Sequence, residues 1–171
     1  MTTHVMKTTD NKDEVFVVVD KTDTIIGYRT REECHSNKDL IHRGVGIIVT
    51  NDKNEILLQK RSKTKDTHPG FWTISASGHV GKGESYEQAA KREMFEEIGI
   101  QAAITCLTMF LYSDGNETEF DTLFTTRHNG PFTTSKDEVA SVAFMDKKTI
   151  ASMTKQLSPY AIRCLEKAKI L

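Results

Sequence analysis

GHVGKGESYEQAAKREMFEEIGI, residues 78–100, decides how this chain is read. Ser85 and Gln88 form the S-x-x-Q of a capping box and Gly99 supplies a C-terminal stop, so the spacing predicts a helix between them. On that helix Glu93, Glu96 and Glu97 fall at i, i+3 and i+4 and share one face. Like charges so placed cost an isolated helix about 0.2–0.5 kcal/mol per pair. Arg92 is the single adjacent cation. Carboxylates crowded onto one stripe make a hard-oxygen site for Mg²⁺ or Mn²⁺, ions that accept few protein ligands and complete their shells with phosphate oxygens and water. Such an ion would relieve the repulsion, neutralise a diphosphate and acidify a water near neutral pH. Arg92 can hold one carboxylate in register through a bidentate pair. Gly78, Gly81 and Gly83 let the preceding loop bring backbone groups close to the site. For Glu96-Glu97 alone a solvated helix face would be a sufficient account. The longer pattern is not covered by it.

The bulk composition narrows the partners. A chain of 171 residues, 37% hydrophobic and 27% charged, suits one soluble globular domain. With 23 basic and 24 acidic residues the net charge is −1, so no global field recruits a nucleic-acid polymer or an anionic membrane. A polyanionic substrate must be held locally, by metal ions or a few placed cations. Cys34, Cys106 and Cys164 form no CxxC pair and are odd in number, which argues against a disulfide framework and fits a reducing compartment. The N-terminal stretch lacks the apolar core of a signal peptide and no apolar run approaches membrane length, so a cytoplasmic protein is expected.

Outward from the helix, β-rich runs dominate. Residues 1–13 are polar and expected to be mobile, with a single domain over 14–171. Residues 15–20 and 24–30 read as a hairpin, and 44–50 and 55–61 as a second one around the turn residues NDKN. Residues 71–80 read as a strand entering the glycine-rich loop, 104–112 and 119–126 as a pair joined through Asp114-Gly115-Asn116, and 138–145 as a further strand. Ser158 caps and Pro159 opens a last helix. Many strands, one central and one terminal helix give an α+β class, a mixed sheet with helices on its faces.

Gly78, Glu84, Arg92-Glu93, Met94, Glu96-Glu97, Gly99 and Ile100 match every defined position of G-x5-E-x7-R-E-U-x-E-E-x-G-U, where U is aliphatic. The chain therefore resembles the Nudix superfamily. The resemblance implies an α/β/α sandwich around a central mixed sheet, and a metal-activated water that cleaves the P–O–P bridge of a small-molecule diphosphate. It implies Glu93, Glu96 and Glu97 as metal carboxylates, a backbone oxygen near Gly78, and Glu84 in support.

Residues 68–80 and LSPY at 157–160 also resemble type I isopentenyl-diphosphate isomerases, a branch of that superfamily. In that branch three histidines and two glutamates hold one metal, and a cysteine with a glutamate moves protons. The resemblance directs attention to His35, His42 and His79 and to Glu117 and Glu119, which stand two apart on one side of a strand. Ser77 stands where the isomerases carry their cysteine, and a hydroxyl is far less acidic than a thiol of pKa about 8.5. The isomerases also have eroded boxes where this one is complete, so the expectation is an isomerase-like scaffold used for hydrolysis. Glu96, Glu97 and Glu119 are the catalytic candidates, and His42, His79, Glu117 and Arg43 the substrate or second-site candidates. Asp137 and Glu138 are an alternative source of a base.

Some residues carry a plainer expectation. His4, His68 and His128 read as surface or hydrogen-bonding histidines, and Phe71 and Trp72 as packing residues. Lys60, Arg61, Lys63 and Lys65 read as a solvated basic face, with phosphate binding as the alternative. A homodimer is allowed, but no segment marks an interface.

Overall fold

The computed structural model describes residues 8–171. His4 and the first half of the segment expected to be mobile lie outside the described residues. Residues 8–13 run against the body of the protein. The Asp10 carboxylate is buried between Lys65 Nζ at 2.5 Å and Arg31 Nη2 at 3.4 Å, and Thr9 N donates to Thr64 O at 3.2 Å.

Among the described residues nine strands form one mixed sheet. Strand β1 (Val15–Val19) pairs antiparallel with β2 (Ile25–Thr30), as the first hairpin requires. Short helix α1 (Arg31–Ser36) follows, capped by Thr30 and Glu33. Strand β3 (Ile41–Thr50) is the spine: it pairs with β1, with β6 (Ala76–His79) antiparallel, and with β8 (Thr118–Arg127) parallel along its whole length. Strand β7 (Thr105–Ser113) closes an antiparallel pair with β8.

The second expected hairpin forms only at its turn. Strand β4 (Ile56–Arg61) meets β3 at Thr50↔Ile56 and then leaves it, to pair with β5 (Trp72–Thr73) and β9 (Val139–Met145). The buried Ser75 hydroxyl bridges the split: it donates to Leu57 O at 2.6 Å and accepts from Val49 N at 2.8 Å. One side chain thereby satisfies two backbone groups that a continuous ladder would have paired. The strand read over 71–80 is correspondingly two short strands, β5 and β6.

Helices cover both faces. Helix α2 (Tyr86–Ile98) has the expected capping box, and Gly99 takes the left-handed conformation at φ 71°. It buries Ala89, Ala90, Met94 and Ile98 against Val45, Ile47 and Val49 of β3. Ile48, one residue out of phase, faces the other side with Leu123, Ala161 and Leu165, under α3 (Lys147–Ser152) and α4 (Pro159–Lys167). That alternation is the period-two signature of a strand buried on both faces. The architecture is the expected α+β sandwich. Among the described residues no helix is long and apolar enough to cross a membrane.

Candidate active site

Strand β6 brings two clusters together. Gly44↔His79, Val45↔Gly78 and Gly46↔Ser77 fix the Ser77-Gly78-His79 stretch beside the spine strand, and α2 packs across it. Glu93 and Glu97, one turn apart, are both buried, whereas Glu96 lies at the exposed rim. The Glu93 carboxylate occupies the space a side chain at Gly78 would need. Arg92 ties the loop to the helix. Its Nε donates to Glu84 Oε1 at 2.6 Å, its Nη1 to Glu93 Oε1 at 2.6 Å, and its Nη2 to His79 O at 3.0 Å. Glu84 in turn accepts from Gly81 N at 2.8 Å. Glu97 accepts from Gln59 Nε2 and, at 3.3 Å, from Ser77 N. Burial pushes the Glu93 carboxyl up, and so does the Glu97 charge; burial and the Glu138 charge push Glu97 up, against the Gln59 hydrogen bond. Two buried carboxylates held this way form a candidate cation site.

A second cluster gathers around His79. One ligand atom from each of His35, His42, His79 and Glu117 falls within 4.8 Å of the others. His35 Nε2 stands 2.8 Å from Glu117 Oε2, His42 Nε2 stands 3.3 Å from Glu119 Oε1, and His79 Nε2 stands 3.0 Å from the same Glu119 oxygen. Phe16 backs the rings, with its centroid 4.1 Å from His79 and 5.2 Å from His42. His42 is wholly buried, yet His35 Nε2, His42 Nε2 and Glu117 Oε2 make no well-directed hydrogen bond. Buried polar atoms left so cost roughly 1–3 kcal/mol each, and a shared divalent cation would satisfy all three. Burial disfavours the His42 imidazolium, but Glu117 and Glu119 outweigh it and raise it to about 9; burial drives His79 down to about 4 against the Glu119 pull. The donor set fits a metal. Behind it Asp66 sits 3.6 Å from His35 Nδ1 and is gripped by Arg31 through Nε at 3.0 Å and Nη2 at 3.1 Å. Such a carboxylate orients a ligating imidazole.

Both clusters line a single cleft of about 270 Å³. Glu84 lies just behind it, holding Arg92. Arg43 is not brought to the cleft: it pairs with Asp23 at 2.8 Å and lies over the Tyr86 ring. The basic run divides. Lys60 and Lys63 are exposed, as a solvated face requires, but Arg61 and Lys65 turn into the cleft. Lys65 is neutralised by Asp10 and by Glu138, each at 2.5 Å. Arg61 has no carboxylate ion-pair partner among the described residues and is held by Thr67 O at 2.9 Å and Thr67 Oγ1 at 3.0 Å. Glu138 faces the cleft, whereas Asp137 contributes only its carbonyl, to Thr9 and Thr64. His68 lines the cleft in a hydrogen-bonding role, 3.4 Å from Asp114. His128 accepts from Gly130 N, an ordinary loop role. Trp72 packs into the second core, and Phe71 stands edge-on to His68.

Three cleft-side residues escaped the sequence reading. Tyr112 lines the cleft with a buried hydroxyl that has no partner, and Gln59 holds Glu97. Asp121 is buried next to Glu119 and accepts from Tyr160 Oη at 3.0 Å. Asp121 had a signal: Glu117, Glu119 and Asp121 recur at intervals of two, from the residue just before β8 into it.

The NUDIX domain family model matches residues 40–166. Isopentenyl-diphosphate Delta-isomerase 2 of Photorhabdus laumondii is 34% identical over 139 residues, 78% of either chain. The uncharacterized Nudix hydrolase YfcD of Escherichia coli is 30% identical over 149 residues, 86% of this chain and 82% of its own. The crystal structure of DR0079 from Deinococcus radiodurans superposes with a TM-score of 0.77 over 92% of this chain and 99% of its own, and at 18% identity it speaks for the fold.

Proposed function

The chain belongs to the NUDIX domain family of enzymes, and from that premise we propose that it hydrolyses the P–O–P bridge of a small organic diphosphate with Mg²⁺ or Mn²⁺. The observation that carries this reading is the buried Glu93–Glu97 pair beneath Gly78, at the end of a complete G-x5-E-x7-R-E-U-x-E-E-x-G-U pattern.

Glu93 and Glu97, with the Gly78 backbone and Glu96 at the rim, would hold the ion nearest the diphosphate. His35, His42, His79 and Glu117 would hold a second. When bound, these ions supply charge neutralisation for the diphosphate and acidify the attacking water. The chain's own residues do the rest. Arg61, free of a carboxylate partner, grips a terminal phosphate oxygen bidentately. Arg92 and Glu84 keep Glu93 in place, and Gln59 and Ser77 N orient Glu97. Glu119, fixed between His42 and His79, accepts the proton of the attacking water.

A second reading is isopentenyl-diphosphate isomerisation. The histidine–glutamate cluster and the Photorhabdus relative favour it, while a hydroxyl at Ser77 weighs against it as a proton donor at the position of the isomerases' cysteine. One experiment separates the two. Purified protein with Mg²⁺ is incubated with nucleoside diphosphates, nucleotide sugars, a sugar diphosphate and isopentenyl diphosphate, with Glu97→Gln as control. Phosphate release by phosphorus NMR, absent in the control, supports hydrolysis. Allylic isomer by proton NMR without phosphate release would replace it.

A further inference from the structure

Among the described residues, four lysine and arginine side chains line the cleft, and they are not equally engaged. Arg92 is held by Glu84 and Glu93, whereas Arg61 has only the Thr67 oxygens. Arg31 and Lys65 both meet one further acid, and it comes from outside the sheet and helices. The Asp10 carboxylate lies 2.5 Å from Lys65 Nζ and 3.4 Å from Arg31 Nη2, and its Oδ2 accepts from Asp66 N at 2.8 Å. Two cations and a backbone N–H converging on one anion is also the arrangement that recognises a phosphate oxygen. Here the chain itself supplies the anion, in the cleft a diphosphate would enter.

The segment carrying Asp10 is lightly held. Residues 8–13 read TTDNKD and have no apolar side chain to bury in either core. Its other ties are polar: Thr9 N to Thr64 O at 3.2 Å, Thr9 Oγ1 to Asp137 O at 3.4 Å, Glu32 N to Lys12 O at 3.1 Å, and the exposed Lys12–Glu32 pair. Exposed contacts of this kind each contribute little. The buried Asp10 seat is the main attachment.

We infer that residues 8–13 are an autoinhibitory strap: Asp10 occupies the seat of a substrate phosphate until a diphosphate displaces it. The inference rests on the diphosphate reading of the cleft. The seat tolerates the exchange. With Asp10 withdrawn, Arg31 keeps Asp66 through Nε at 3.0 Å and Lys65 keeps Glu138 at 2.5 Å, so neither cation is left without an acid. The N–H groups that Asp10 had engaged on Lys65, Arg31 and Asp66 are freed, and a phosphate oxygen satisfies them as the carboxylate did. The two anions cannot share these donors, because like charges in one buried seat repel. Substrate therefore binds only the open form. If that form is a minor state of about 10% or less, the apparent Kd for a diphosphate is raised at least about tenfold.

The test uses methylenediphosphonate with Mg²⁺, a diphosphate analogue whose bridge is a carbon and is not hydrolysed. By calorimetry on the full chain, Asp10→Ala should bind it about tenfold more tightly than wild type. Asp13→Ala, which alters an exposed acid of the same segment, should bind as wild type does. An unchanged or weaker affinity in Asp10→Ala, the result of a purely structural Asp10, overturns the inference. Should Asp10→Ala not fold, Asp10→Asn removes the charge at constant shape and is read the same way. The wild-type protein gives a second readout. Amide hydrogen exchange over residues 8–13 should quicken when the analogue binds, because the strap is released and Thr9 N–H loses Thr64 O. Unchanged or slower exchange also overturns it. Neither measurement depends on turnover. Strap release in a protein that hydrolyses no diphosphate would remove the proposed activity alone, and hydrolysis without strap release would remove this inference alone.

Discussion

Gly78 and Glu93 share one volume: a methyl group on residue 78 would overlap the Glu93 carboxylate. The backbone of β6 therefore lies directly against a metal-candidate side chain, and only glycine permits it. Gly78→Ala should push Glu93 out of register and break its 2.6 Å pair with Arg92. Overpacking of this kind costs about 1–3 kcal/mol, or a few degrees in Tm at roughly 2–4 °C per kcal/mol for a chain of this size. Hydrolysis should fall far more than the stability. A variant with near wild-type activity would remove Glu93 from the ion site.

Arg61 is the next test. Because its guanidinium is held by Thr67 and not by an acid, its charge is available to substrate. Charge-assisted hydrogen bonds contribute about 1.5–3 kcal/mol, so Arg61→Ala should raise KM for a diphosphate by at least about tenfold while kcat changes less. Arg61→Lys should recover part of the loss, since it restores a point charge without the planar fork. Steady-state kinetics on both variants reads the difference, and an unchanged KM would move the phosphate elsewhere.

The glutamate face of α2 was legible because its signals are local. The capping box, Gly99 and the glutamate spacing lie within one helix, and sequence periodicity reports helices directly. The sandwich followed from the same stretch by resemblance. The split between β3 and β4 was not legible, because it depends on Ser75 reaching two strands at once. Arg43 and Arg61 show the same limit. Both are arginines within strands, and only the tertiary placement of Asp23 makes one structural while Thr67 leaves the other without an acid. Likewise the histidines at 35, 42 and 79 come from α1, β3 and β6, and no spacing rule announces that they converge.

Residues 8–13 pack against the folded unit. Asp10 is buried between Lys65 and Arg31, and Asp66, which faces His35, donates its backbone N–H to Asp10 Oδ2 at 2.8 Å. Asp10→Ala leaves Lys65 with Glu138 and Arg31 with Asp66, so the expected loss is about 1–3 kcal/mol, below that of a fully orphaned charge. Urea unfolding should show a lower midpoint with unchanged slope. Unaltered stability would return the segment to the mobile class expected from its composition.

The histidine cluster makes a prediction independent of turnover. The buried His35, His42 and Glu117 atoms meet one another only in ion-pair contacts without well-directed hydrogen bonds, an arrangement a divalent cation would improve. A ligand at a hundred times its Kd stabilises by about 2.7 kcal/mol, roughly 5–10 °C at this chain length. Thermal unfolding of chelator-treated protein should therefore rise by that order when Mn²⁺ is added. His42→Ala should abolish most of the rise, because a buried ring on the spine strand cannot be replaced by a neighbour. Glu97→Gln should leave it nearly intact, since Glu97 belongs to the other cluster. If instead Glu97→Gln removes the stabilisation and His42→Ala keeps it, the histidines are a hydrogen-bonded core and only the helix site takes an ion.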